Sequence, residues 1–420
     1  MALIMKKLSI RHVLLLSIGV GIGCALRAER IPNSSGGILD LSDFEYESEY
    51  VIELKGRWQF YWEQLIYPSE FDTIAHSPDY IDVPSIWNGL GKDESMVNNF
   101  GFATYRFLVI DRFKGESLAL EIPAVYNAYK LWLNGNELSS NGVPGRSKED
   151  SSPKWLPLTK EFSPNSDTLD IVIHISNFRH KRGGIPESIF LGDTETLLKR
   201  RSSRLTGNFM SIVGLLLIGV GFLIFYFLSK KDISLLLFSG LCMDWALRSF
   251  FSDLYLINFY FGDFDWTLAM KIEYATLHIA VIFGTFFIAK SYPGEANKVF
   301  RNIVAVVSIF FVLATIVVNT IVVSYMLVPF LVFAGLVMIY VIGVLLNAVV
   351  NGRRGAFFST SGALLLILVW FYDLLSYQGF FEINHILLNL GYLLTFSVNA
   401  IAIVYKKMKT QEPNSYHFNS

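Results

Sequence analysis

Cysteine is nearly absent from this chain: 420 residues contain two, Cys24 and Cys242. Each lies within a separate apolar run, so no disulfide framework and no thiolate metal site can be built from them. Charge is scarce as well. Only 17 % of residues are charged and they nearly cancel to −1, which leaves no basic surface for nucleic acid. No His-Glu-x-x-His helix, Gly-x-Ser-x-Gly elbow or phosphate-binding glycine loop occurs, and no cofactor or metal is expected.

What the chain has instead is long apolar runs. From about residue 207 onward, near-uncharged stretches follow one another, each close to the roughly 20 residues that a helix needs to cross a hydrocarbon core. They are placed at Asn208 to Leu228, Ile233 to Leu254, Leu268 to Ala289, Ile303 to Val323, Met326 to Val350, Phe357 to Tyr377 and Asn384 to Tyr405. Sidedness follows from lysine and arginine, which are enriched in cytoplasmic loops. Lys230, Lys231, Lys290, Lys298, Arg301, Arg353, Arg354, Lys406, Lys407 and Lys409 share one side; Asp253, Asp263, Asp265 and Glu382 share the other. The C-terminus is therefore expected in the cytoplasm and the N-terminal half outside. The basic run Lys199, Arg200, Arg201 and Arg204 lies on the outer side, as long translocated domains allow.

Residues 1–28 read as a signal peptide: Lys6, Lys7 and Arg11 precede an apolar run from Val13 to Ala25, followed by small residues. Cys24 as a lipidated residue is the alternative, although Gly21 stands where that motif wants a larger aliphatic side chain. Residues 29–39 form a polar linker, 40–198 an exported domain, 199–207 a juxtamembrane linker, 208–405 the membrane half and 406–420 a short tail.

The exported segment alternates in the manner of antiparallel β-structure. Leu118, Leu120 and Ile122, Leu131 and Leu133, and Leu169, Ile171, Ile173 and Ile175 each repeat with period two. Asn134-Gly135 is a strong hairpin signal, because both residues tolerate positive φ. Further strands are expected at Tyr50 to Trp62, Tyr80 to Pro84, Thr104 to Ile110 and Ser188 to Leu191, and the short, turn-separated strands suggest a jelly-roll sandwich.

Particular residues sharpen this. The runs Leu54 to Trp62, Val83 to Trp87, Gly101 to Arg106, Leu133-Asn134-Gly135 and Ser176-Asn177 resemble the galactose-binding-like jelly roll of β-galactosidase relatives. Joined to seven spans, with Ala246-Leu247-Arg248, Lys290 to Pro293 and Tyr372 to Gly379 in the membrane half, the chain resembles the bacterial seven-transmembrane receptors with diverse intracellular signalling modules. The resemblance implies a receptor in the bacterial inner membrane, with its sandwich periplasmic or extracellular and a kinase, cyclase or phosphatase module after the last helix. After Tyr405 only Lys406 to Ser420 remain, so output is expected through a separate cytoplasmic partner, the short loops or homo-oligomerisation.

Two sets of residues are candidates for function. Trp87, Tyr105, Arg106 and Trp155 offer rings and donors for a carbohydrate or other polyol, and Asn177, Arg179 and His180 open a loop whose Gly183 and Gly184 permit close backbone approach. Against this stand a core role for the aromatics and a solvated turn for the loop. In the membrane half, Asp244, Arg248, Glu273, His278 and Asp373 are ionisable where ionisation is costly, as a switch or as a polar clamp between helices. Aromatics from Phe250 to Trp266 form an interfacial belt or a seat for the sandwich. No catalytic carboxylate pair stands out, so the expectation is a non-enzymatic receptor. A transporter or a tethered carbohydrate-binding module is the alternative.

Overall fold

A computed structural model describes residues 34–44, 50–73, 77–87, 99–125, 127–229, 231–377 and 383–411, the side chains of the last segment only to residue 408. The expected signal peptide with Cys24 and the end of the tail lie outside the described residues, as do Lys230, Gln378, Gly379 and Glu382; the side chain of Lys409 is likewise not described.

Among the described residues, thirteen strands build the N-terminal domain: β1 (Ile38–Asp40), β2 (Val51–Glu53), β3 (Gly56–Trp62), β4 (Asp79–Val83), β5 (Ser85–Ile86), β6 (Gly101–Ile110), β7 (Leu118–Ile122), β8 (Ala128–Leu133), β9 (Asn136–Asn141), β10 (Leu158–Phe162), β11 (Thr168–Asn177), β12 (Gly184–Ile185) and β13 (Phe190–Asp193). One sheet runs β4-β3-β6-β11-β8-β9 and the other β10-β7-β13-β2, while β5 and β12 form a small ribbon. The pairing is antiparallel except for β1, which lies parallel to the second half of β6. The expected linker thus contributes a strand at Ile38 and Leu39.

Alternation buries one face of each sheet against the other. Trp58 of β3 stacks on Phe107 of β6 with ring centroids 4.5 Å apart, and both are fully enclosed. Truncating such a tryptophan costs about 3–5 kcal/mol. The expected strand over Tyr50 to Trp62 is two strands, because Leu54 and Lys55 carry the chain from one sheet to the other. Asn134 and Gly135 turn β8 into β9 with φ of +48° and +82°, as the dipeptide predicts.

Eight helices follow among the described residues: α1 (Thr194–Leu228), α2 (Ile233–Phe251), α3 (Leu256–Phe261), α4 (Trp266–Ser291), α5 (Lys298–Val317), α6 (Thr320–Val350), α7 (Ala356–Tyr377) and α8 (His385–Gln411). Seven are long and apolar enough to cross a membrane, the short α3 being the exception. Side-chain caps set several boundaries, with Asp232 starting α2, Asp265 α4 and Asn297 α5. Asn319 accepts from Val322 N and starts α6, so the fourth span ends at Val317 and not at Val323. Residues 199–207 differ more. They are no linker but the second to fourth turns of α1, which starts at the cap Asp193 and continues without a break into the membrane half.

Candidate functional site

The two halves meet along a seam formed by one end of the bundle and one end of the sandwich. The loop after β11 is its centre. Asn177 folds this loop on itself: its side-chain amide donates to the carbonyl of His180 at 2.7 Å, and its Oδ1 accepts from His180 N at 3.0 Å. His180 is fully buried, and its Nδ1 accepts from Arg182 N at 3.2 Å. Burial holds the imidazole far below its ordinary range, at about 3, so the ring is neutral. The loop then reaches the helices. Thr320 donates to the Arg179 carbonyl at 3.0 Å, Lys181 N donates to Ser324 Oγ at 3.0 Å, and Arg182 donates to the Tyr377 carbonyl at 2.7 Å.

An aromatic contact lies beside it. Trp155, from the connection between β9 and β10, packs against Tyr255 and Trp266 with centroids 5.0 and 5.2 Å away, and its carbonyl accepts from the Asn258 amide at 2.7 Å. Tyr255 and Trp266 are therefore seat residues for the sandwich, whereas Phe259, Tyr260 and Phe261 are exposed, as a belt at the bilayer surface would be.

The third contact is ionic. Glu121 of β7 pairs with both Arg204 and Arg200 of α1. Close by, Asp253 pairs with His385 at the start of α8 and accepts from Asn208 and Asn389. Burial opposes ionisation of Asp253, but His385, Arg204 and Asn208 outweigh it and bring the carboxyl down to about 2. Glu187, which shares this surrounding, is shifted the other way by burial.

The seven ligand candidates, Trp155 of the aromatic contact among them, do not converge on one open surface. Trp87 and Tyr105 are enclosed in the core, where the indole N–H donates to the phenol oxygen at 2.6 Å. Arg106 follows Tyr105 on β6 and so points to the opposite face, held by a bidentate pair to Asp170 at 2.9 and 2.8 Å. Asn177 and His180 shape the docking loop, and Arg179 lines the seam. The glycines of that loop admit Trp87: a Cβ on Gly183 would meet its ring at 2.2 Å.

The membrane cluster is partly gathered. Arg248 donates to the backbone carbonyl of Glu273 at 2.7 Å, and its charge acts on Asp244, Glu273 and Asp373. Asp373 also accepts from Tyr392 at 3.2 Å. Among the described residues no ion pair joins Arg248 to Asp244 or Asp373. His278 packs against Phe330, with ring centroids 4.1 Å apart, and the Arg248 charge acts on it as well. The seam residues missed by the sequence reading are Thr320, Ser324, Asn258 and His385. Small polar residues at helix starts carry no periodic signal of their own.

A family profile described as 7TM diverse intracellular signalling matches residues 208–406. No curated protein matches the chain. Among solved structures, a β-glucuronidase from an uncultured Clostridium sp. is 17 % identical, with 35 % of this chain and 29 % of that one covered and a TM-score of 0.28. A β-glucuronidase from Ruminococcus gnavus in complex with D-glucaro-d-lactam is 14 % identical, with 36 % and 30 % covered and a TM-score of 0.28. The chain thus spans less than a third of the length of these two solved chains. The seven apolar helices coincide with the profile match, and residues 208–406 form a membrane domain of the 7TM diverse intracellular signalling family.

Proposed function

We propose that this protein is a receptor of the bacterial inner membrane. Its β-sandwich faces outward and takes a small polar ligand, and the seven helices pass the event to a separate signalling protein in the cytoplasm. The observation that carries this reading is the seating of residues 179–182 on the first turns of α6 and the last turn of α7, by three hydrogen bonds. A displacement of the sandwich cannot leave those helices unmoved, because packed interfaces switch between discrete arrangements and do not deform continuously. The continuous α1 gives a second rigid link.

The orientation rests on charge. Lys231, Lys290, Lys298, Arg301 and Arg354 lie at the bundle end far from the sandwich, while Asp253, Asp263 and Asp265 lie at the near end. The role needs no catalytic step and no cofactor. Hydrogen exchange on the full chain in lipid nanodiscs tests the coupling. In Thr320→Val combined with Ser324→Ala, exchange should rise at the seam and also change in residues 291–298 and 351–356 at the far end. A change confined to the seam would contradict the receptor reading.

A further inference from the structure

Between the β9 end of the sandwich and the turn joining α3 to α4 lies an open cleft of about 760 Å³. This is within the range of small-molecule sites, and domain seams are where such sites concentrate. Its two walls differ in charge. The sandwich wall carries Lys154 and Arg179 against Glu149, whereas the helix wall presents Asp263 and Asp265 and no cation.

The polar groups are only partly used. Lys154 reaches Asp263 across the seam at 3.0 Å, but the Asp263 side chain is fully exposed, so the pair is easily exchanged. One oxygen of Asp265 caps α4 by accepting from Leu268 N at 2.7 Å. Arg179 gives one guanidinium nitrogen to the Lys148 carbonyl at 3.1 Å, while its Nε is buried with no hydrogen-bond partner. Trp266 Nε1, on the opposite wall, is likewise buried without one. Both atoms are closed off from the cleft, so the charged side chains that a ligand meets there are those of Lys154, Arg179, Asp263, Asp265 and Glu149.

Charge decides among ligand classes. An anion gains from Lys154 and Arg179 but is opposed by Glu149 and the two aspartates, and a cation meets the reverse. A sugar would look for an open ring face, yet Trp266 is 6 % exposed and edge-on to Trp155. A molecule with both charges gains at both walls. We infer that this cleft binds a small zwitterion of the α-amino-acid class, its carboxylate held by Lys154 and Arg179 and its ammonium by Asp263 and Asp265. Each partner of the Lys154–Asp263 pair then exchanges the other for a ligand charge, and the ligand bridges sandwich and helices. The inference rests on the receptor reading for what binding does, and not for where binding occurs.

The test uses the full chain in nanodiscs and isothermal titration with each proteinogenic L-α-amino acid at millimolar concentration. At least one should bind, and its N-acetyl and its amide derivatives, which each lack one charge, should bind about tenfold or more weakly. Lys154→Glu combined with Asp263→Lys keeps the pair and reverses its polarity, so the melting temperature should hold while affinity falls by about tenfold or more. The inference is overturned if no amino acid binds, if the blocked derivatives bind as well as the parent, or if the reversed pair retains affinity. Binding with unchanged hydrogen exchange at the far end would keep the site and remove the receptor reading. Far-end coupling in the Thr320→Val, Ser324→Ala variant without any amino-acid binding would remove the site alone.

Discussion

Arg182 lies over the ring of Tyr377, its guanidinium carbon 3.5 Å from the ring centroid, and donates at 2.7 Å to the carbonyl of the same residue. Tyr377 is the last described residue of α7, towards the end at which the helix dipole presents negative charge. One side chain of the sandwich therefore holds both the backbone and the ring of a single α7 residue. Arg182→Ala should destabilise the docked state by about 1–2 kcal/mol. In a double-mutant cycle with Tyr377→Leu, read by thermal unfolding in nanodiscs, the coupling should reach about 1 kcal/mol. Strict additivity would show that the contact carries no energy.

The buried His180 makes docking sensitive to acid. The unfolded chain takes up a proton near the ordinary 6.5, whereas the folded ring resists until about 3. Between those values the unfolded state binds more protons, so stability must fall as pH falls and the effect is absent above about pH 7. From pH 6.5 to 5 the loss should be about 2 kcal/mol. Glu187 works in the opposite sense just above its ordinary range, since burial raises its folded pKa. The useful measurement is therefore the difference between wild type and His180→Asn, whose amide oxygen stands in for Nδ1. The variant should have the flatter profile, and parallel profiles would contradict the assignment.

The pair of Glu121 with Arg204 and Arg200 joins β7 to α1 where little solvent reaches it, the Glu121 side chain being 7 % exposed. Removing one partner of such a pair leaves an uncompensated charge. Arg204→Leu should cost about 3 kcal/mol or more, and adding Glu121→Leu should recover part of that. Chemical denaturation of the four proteins decides, and a double variant less stable than either single variant would contradict the pairing.

In the membrane half, Arg248 answers three carboxylates with one charge and donates to the Glu273 carbonyl. Arg248→Leu should therefore lower the melting temperature, and Arg248→Leu with Asp244→Asn should lie between it and wild type. Arg248→Leu with an unchanged melting temperature would show that the cluster does not hold the helices together.

The sequence made the architecture legible because its signals are local and periodic. Alternation at Leu169 to Ile175 marks β11, Asn134-Gly135 marks a hairpin, and charge-free runs mark the spans. The seam was not legible, for a physical reason. Whether Trp155 or His180 faces ligand, core or helix depends on which surface arrives from more than a hundred residues away, as Asn258 does for Trp155 and Ser324 for Lys181. Arg106 shows the same limit on a smaller scale. Its alternation with Tyr105 was visible, but its partner Asp170 comes from a neighbouring strand. The helical character of residues 199–207 was masked by their charge, which reads as a linker until Glu121 supplies the partner for Arg200 and Arg204.

On the receptor reading, the sandwich sets the arrangement of the helices at their far end. Spin labels at Lys298→Cys and Arg354→Cys, in a Cys24→Ser, Cys242→Ala background, report the separation of α5 from the α6–α7 loop by pulsed electron resonance. Release of the seam by Arg182→Ala, Thr320→Val and Ser324→Ala together should shift that distance distribution by the order of 1–2 Å or more, or change the weights of its components. A distribution identical to that of the intact seam, in a protein whose sandwich and bundle both remain folded, would contradict the account.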